Sequence, residues 1–370
     1  RSLLSRANAA YLNGGNDMNK TAGALFILGI LNAMHAWAVD AADTFENTIE
    51  AFLDDYPVLM TNEFLHKRTG GKTNAWWLHV PELTQAGNEP VVRMNRDTIY
   101  AGAYSDNRNG PVIVSIRNPA KDRFVSIQIN DERDFNVAAI WDVDGDYALV
   151  QYGQEAPPGT IPVKVTSDFH LVVIRVEVRT PEDLPAAQAI FETATISGPA
   201  PELIPTLDLL SRYSPEVKER SLEMIDRWGA HTNPRWWFGR PDERGIRISD
   251  LDRAAGLKFA EGAPVAEHST YDILFEDADG DQLRGENGAY TFTTKEPPVN
   301  AFWSVTVYDT DRGGFLHPNP LNRHHLNNSL VDFNDDDTVT FTLKQECAPS
   351  DLNCIPVPAG AFDVAWRYYL

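Results

Sequence analysis

"RFVSIQIND", residues 123–131, changes between apolar and polar side chains at every step from Val125 to Asn130. In an extended chain Val125, Ile127 and Ile129 fall on one side and Ser126, Gln128 and Asn130 on the other. That period of two predicts a strand with one face against a core, closed by Asp131. Outward from it, "GPVIVSIRNP" (110–119) and "HLVVIRVEV" (170–178) read as further strands bounded by Gly, Pro and Asn turns. The same rhythm returns in "GAYTFTT", "AFWSVTVYD", "TVTFTL" and "FDVAWRYY", all beyond residue 287.

Helical spacing brackets these blocks. "TFENTIEAFLDDYPVLMTNEFL" (44–65) places Phe45, Ile49, Phe52 and Leu53 on one face behind Thr44 as a cap candidate. "TPEDLPAAQAIFETA" and "SPEVKERSLEMIDRW" begin with Thr180 and Ser214 as N-caps, each followed by Pro and first-turn acids. Helix, β block, helical stretch and β block in succession predict an α+β, mostly β architecture. The expected form is two antiparallel, jelly-roll-like sandwiches with an N-terminal helix and a helical connector, divided at 39–180, 181–262 and 263–370. The blocks also echo each other: Phe124 to Asp131 and Phe302 to Asp309 share F-x-S-[IV]-x-[IV]-x-D. A true repeat would put Asp131 and Asp309 at equivalent strand ends; chance convergence of alternating strands is the alternative.

Composition narrows the function. A net charge of −21 leaves no basic patch for nucleic acid or an anionic membrane surface. From Met18, Lys20 precedes an apolar run from Ala22 to Met34, and Ala36-Trp37-Ala38 offers a small-x-small cleavage site. Residues 18–38 therefore read as a signal peptide and 1–17 as upstream sequence. The expected location is periplasmic or secreted, with no membrane span once the signal is removed. In that setting Cys347 and Cys354 are expected to form one disulfide.

"NRDTIY" (95–100), "PPVNAFWSVTVYDTDRGGFLHPNPLNR" (297–323) and "CIPVPAGAFDVAWRYY" (354–369) resemble a bacterial exported family built from two paired domains of unknown function, the N-terminal one numbered 1254 and the C-terminal one 1214. The resemblance runs from about residue 44 onward. It implies β-sandwiches of jelly-roll type and brings no agreed activity. Cys354 stands where the family usually has an aromatic, and His324-His325 where a single aromatic is usual.

Asn95, Arg96 and Asp97 crowd the entrance of a strand. They either fix a turn or face a ligand, Arg offering a bidentate fork for carboxylates or hydroxyls. Two sandwiches facing one another would give a groove lined by Asn95, Arg96, Asp97, Tyr100, Gln128, Trp303, Tyr308, Asn322 and Arg323. Asp131 and Asp309 would be its carboxylate pair if it cleaves glycans, since glycoside hydrolysis needs two carboxyl groups. A glycan or glycoconjugate hydrolase is thus the leading expectation. A non-catalytic carbohydrate or small-ligand binding protein of the cell envelope is the alternative. No cofactor is expected. "DVDGD" (142–146) and "DADGD" (277–281) read as hairpin turns, with Ca²⁺ the alternative, and His317, His324 and His325 as a polar loop, with Zn²⁺ the alternative. The aromatic pairs Trp76-Trp77, Trp236-Trp237 and Phe302-Trp303 are either core or platforms for sugar rings.

Overall fold

The computed structural model describes residues 47–89, 92–199, 203–232 and 237–369. The upstream and signal segments, Thr44 and Trp236 lie outside these. The first described helix, α1 (Ile49–Thr69), is capped by Thr48, whose hydroxyl accepts from Ala51 N at 3.2 Å. It ends at Gly70, whose φ of 64° is the left-handed conformation a glycine adopts without a Cβ clash.

Nine strands follow: β1 (Ala75–Val80), β2 (Thr98–Asp106), β3 (Val112–Ile116), β4 (Val125–Asp131), β5 (Asn136–Trp141), β6 (Gly145–Val150), β7 (Ile161–Lys164), β8 (Phe169–Glu177) and β9 (Thr195–Ser197). One sheet has the order β1-β2-β8-β4-β5 and the other β7-β6-β3-β9. Val125, Ile127 and Ile129 of β4 face Val112, Val114 and Ile116 of β3 across one core, all fully buried. Each such side chain contributes roughly 1.5–3 kcal/mol through burial. Because β9 pairs with β3, the first sandwich runs to residue 197, past the 180 expected from sequence.

Helix α2 (Leu184–Phe191) packs on the first sandwich ahead of β9, and the stretch between the sandwiches holds α3 (Pro215–His231) and α4 (Asp250–Ala260). Ser214 caps α3 by accepting from Val217 N at 3.2 Å, as its Ser-Pro-Glu start suggests. Thr180 makes no such bond: a short 3₁₀ turn, Pro181–Asp183, precedes α2. The first helix joins the connector, since Phe52, Leu53 and Tyr56 of α1 pack with Ile225 of α3 and Ala254 and Ala255 of α4.

The second sandwich contains β10 (Ser269–Leu274), β11 (Tyr290–Lys295), β12 (Phe302–Asp309), β13 (Phe315–Leu316), β14 (His325–Asn327), β15 (Thr338–Lys344), β16 (Cys354–Pro356) and β17 (Phe362–Tyr369). One sheet runs β10-β17-β12-β13 with β14 also on β12, and β11-β15-β16 faces it. Trp303, Val305, Val364, Phe341 and Ile355 fill the space between. The fold is α+β and mostly β, with antiparallel pairing except at β6 with β7 and β15 with β16. Cys347 and Cys354 are bonded, their Cα atoms 5.9 Å apart.

Both sandwiches bury a face that their alternation marks as polar. On the outer side of β12 and β17 lie Ser304, Thr306, Tyr308, Asp363, Arg367 and Tyr369, every one at most 6% exposed. The cover is residues 92–98, between β1 and β2 of the first domain. On the first sheet, Gln128 and Asn130 are buried beneath the chain that leaves α4, where Gln128 Nε2 donates to Gly262 O at 2.8 Å.

Candidate functional site

The Asn95-Arg96-Asp97 cluster crosses from one domain to the other. Asn95 Oδ1 accepts from the backbone of Asp97 and Thr98, both at 3.2 Å, which fixes the turn into β2. Its amide nitrogen donates to Tyr369 Oη of β17. Asp97 is fully buried against β12 and β14, with His325 Nε2 and Asn327 Nδ2 each 3.4 Å from its Oδ1. On either side, Tyr308 Oη donates to Met94 O at 2.8 Å, Arg367 Nη2 donates to Arg93 O at 2.7 Å, and Arg93 pairs with Asp363 at 2.9 Å. Asn95 thus fixes a turn, and Asn95 and Asp97 together join the domains.

Burial pushes Asp97 up to about 6, against the opposing pull of Ser304, Arg367, Asn327 and Arg96. It pushes His325 down to about 3, helped by the positive charges of Arg96 and Arg367. At neutral pH a neutral imidazole thus meets a carboxylate. Asp97 Oδ2, Ser304 Oγ, His325 Nδ1 and Arg96 Nε are buried without an aligned hydrogen-bond partner, although Ser304 lies close enough to Asp97 to favour its charged form.

Of the three, only Arg96 lines a cleft. It is 5% exposed, yet it lines an open cleft of about 340 Å³ with Glu82, Leu83 and Gln85 after β1, Pro181, Leu184 and Gln188 around α2, and Leu321 and Asn322 of the second domain. Arg96 Nη1 donates to Asn322 O at 2.9 Å, and burial lowers its proton affinity, with Asp97 and Tyr308 opposing. The walls offer side-chain amides, a carboxylate and apolar patches, around the Arg96 guanidinium. Such a mixture suits a small polar ligand with an anionic end.

The other expected site residues distribute unevenly. Tyr308, Asn322 and Arg323 gather with the cluster: Tyr308 at the junction, Asn322 on the cleft, and Arg323 reaching away from it to Asp351 O at 2.6 Å. Tyr100 sits beside it under Arg175, whose guanidinium carbon is 5.7 Å from the ring centre. Gln128 is held by Asn130, Gly262 and Arg175, away from the cleft. Trp303 is a core residue with no exposure, Phe302 stacks on Tyr369 at 4.1 Å, and Trp77 stacks on Tyr104. None of these aromatics lines the cleft.

Asp131 and Asp309 are not brought together. Each ends its strand and holds the turn that follows: Asp131 Oδ1 accepts from Arg133 N and Phe135 N, and Asp309 Oδ1 from Arg312 N. The strands touch at their starts, where the Phe124 and Phe302 rings lie 5.7 Å apart, and both Asp residues stand at the far ends. Asp309 has His317 nearby, at 3.9 Å. Asp131 instead faces the helical layer, beside Asp134 and the fully buried Arg253. Burial raises Asp131 to about 6 and Asp134 to about 7, with Arg253 opposing both. Arg253 stacks on Phe135 at 4.1 Å, and its three nitrogens reach no hydrogen-bond partner.

The acidic turns are occupied locally: Asp277 Oδ1 accepts from Asp279 N and Asp281 N, Asp144 from Asn118 N, and Asp146 pairs with Arg117. His324 bonds Asn322 and Asn319, while His325 faces Asp97. Among the described residues no three His, Cys, Asp or Glu are grouped to hold a metal ion. Glu82, Gln85 and Gln188 escaped the sequence reading, because isolated polar residues on a loop and a helix carry no pattern. His325 reads only as part of a polar loop and Arg367 only as part of the strand "FDVAWRYY", while Asn327 carries no signal.

No curated protein matches this chain. The VPA0106 protein of Vibrio parahaemolyticus, known as a crystal structure, superposes with a TM-score of 0.70 at 18% identity, over 87% of this chain and 94% of that one. An uncharacterised protein from Burkholderia cenocepacia gives a TM-score of 0.46 at 13% identity, over 85% of this chain and 83% of that one. The first likeness shows a shared fold. Residues 76–197 match the protein of unknown function DUF1254, ending with β9, and residues 268–370 match DUF1214, beginning just before β10. Carrying the two in tandem, the chain belongs to the family of paired DUF1254 and DUF1214 domains.

Proposed function

We propose that the protein binds a small hydroxylated carboxylate in the cleft at the domain junction, with Arg96 as the anchor, and does so without cleaving it. The observation that carries this is the Arg96 guanidinium, set in the wall of an open cleft with Gln85, Gln188 and Asn322 and held there by Asn322 O. A desolvated guanidinium favours an anionic partner more strongly than a solvated one, and a charge-assisted hydrogen bond contributes roughly 1.5–3 kcal/mol. The binding reading fits better than a glycan hydrolase for two reasons. Glu82 is the one carboxylate among the described residues lining the cleft, where hydrolysis needs two, and no aromatic floor is present for a sugar ring. The pattern between Met18 and Ala38 supports a periplasmic or extracellular setting for this binding.

Titration calorimetry with D-glucuronate and D-glucose tests it. Wild type should prefer the uronate by about tenfold or more, equivalent to about 1.4 kcal/mol, and Arg96→Gln should erase the preference. Leu184→Trp, which fills the cleft from α2, should abolish binding without touching Arg96. Equal binding of the two sugars, or an unchanged Arg96→Gln, would overturn the anchor. Turnover of 4-nitrophenyl β-D-glucuronide by wild type would overturn the non-catalytic part.

A further inference from the structure

We infer that Arg323 is a positioning residue for the cleft, and that the Cys347–Cys354 loop is the seat that holds it. This deepens the binding reading and rests on it for its functional consequence. The Arg323 guanidinium lies inside the disulfide loop: Nη1 donates to Asp351 O at 2.6 Å and Cys354 O at 3.1 Å, and Nη2 to Pro349 O at 3.3 Å. Three backbone carbonyls of one closed loop converge on one side chain. The loop is braced by Lys344, which pairs with Asp351 at 3.1 Å, and by Cys354 N donating to Asp351 O at 3.2 Å.

The other end of the connection is a single peptide unit. Arg323 N and Asn322 O belong to the same planar group, so neither moves without the other. Arg323 N donates to Asn319 Oδ1 at 3.1 Å, while Asn322 O receives Arg96 Nη1 at 2.9 Å. Asn322 holds this peptide from a left-handed conformation, φ 49°, which asparagine tolerates better than most other non-glycine residues. Disulfide loop, Arg323 side chain, Asn322–Arg323 peptide and Arg96 guanidinium thus form a continuous chain of direct contacts. It ends on the group proposed to take the ligand. Without the seat, the peptide loses its tie on one side, and the guanidinium loses the carbonyl that aims it.

The test uses the full chain and two readouts. In a Cys347→Ser/Cys354→Ser variant, amide hydrogen exchange over 319–324 should rise about tenfold or more while exchange in β4 stays as in wild type, and D-glucuronate should bind about tenfold more weakly. Arg323→Ala should give the same pair of changes with the disulfide intact, and Arg323→Lys should recover only part, since an ammonium cannot serve three carbonyls in fork geometry. A general loss of stability would instead raise exchange everywhere. If exchange rises over 347–354 alone and 319–324 stays protected, the seat does not position the cleft and the inference fails. If wild type binds no D-glucuronate, the ligand assignment fails, and the exchange pattern still decides the coupling.

Discussion

Asp134 offers a direct measure of how the buried charges between the first sheet and the helical layer behave. It is 3% exposed, with Oδ1 accepting from Asn130 Nδ2 at 2.6 Å and Oδ2 from Gly262 N at 3.4 Å. Burial raises it from 3.8 to about 7, with Glu261 reinforcing the rise and Arg253, Asn130 and Gly262 opposing it. The unfolded chain therefore releases this proton near pH 4, while the folded chain keeps it almost to neutrality. Stability from this group is complete at low pH and is lost as pH climbs toward 7. A shift of roughly three units is worth about 4 kcal/mol over the whole window, or about 1.4 kcal/mol per pH unit. Asp134→Asn preserves the shape and removes the titration. One of its two acceptor contacts is weakened at every pH, so the expected signature lies in the slope. Urea unfolding from about pH 4 to about pH 8 should show wild type losing stability relative to the variant by about 4 kcal/mol. Asp131, raised to about 6, stays in both proteins and cancels in the difference, as do the carboxylates of Asp183 and Glu243, which their arginine partners hold low. Parallel stability curves for the two proteins would refute the reasoning.

Two further substitutions probe packing and the junction. Trp303→Ala opens a hole in a fully buried aromatic cluster with Phe341 and Trp366 and should cost about 3–5 kcal/mol, read as a drop in the thermal midpoint. Tyr308→Phe leaves Met94 O and one Arg367 donor without their partner, which should cost about 1–3 kcal/mol in urea unfolding while the far-ultraviolet circular dichroism stays that of wild type.

The strands were legible because alternation is a local property: Val125, Ile127 and Ile129 point inward where their spacing says they must. The same logic misleads on the opposite face. Ser304, Thr306 and Tyr308 spell a solvent-facing edge, but they are buried under residues 92–98, and what covers a sheet depends on contacts far apart in sequence. The likeness of Phe124–Asp131 and Phe302–Asp309 was visible too, and its terminal Asp marks the same task twice, a carboxylate that holds the next turn. Neither pattern encodes how the domains are oriented, so the carboxylates' failure to meet could not be read from it. Arg96 drew notice because a guanidinium beside Asn and Asp at a strand entrance is excessive for a turn. The cleft around it stayed hidden, because its walls come from three separate stretches.

Asn95 and Tyr369, joined across the junction, stand 274 residues apart in the chain. The arm carrying Asn95 leaves the ribosome long before β17 exists to receive it. Until that last described strand emerges, its amide and acid groups wait in water. Closing so long a loop costs entropy, and the junction cannot form before β17 is made, since β17 supplies Asp363, Arg367 and Tyr369 together. Joining of the two domains therefore waits for β17.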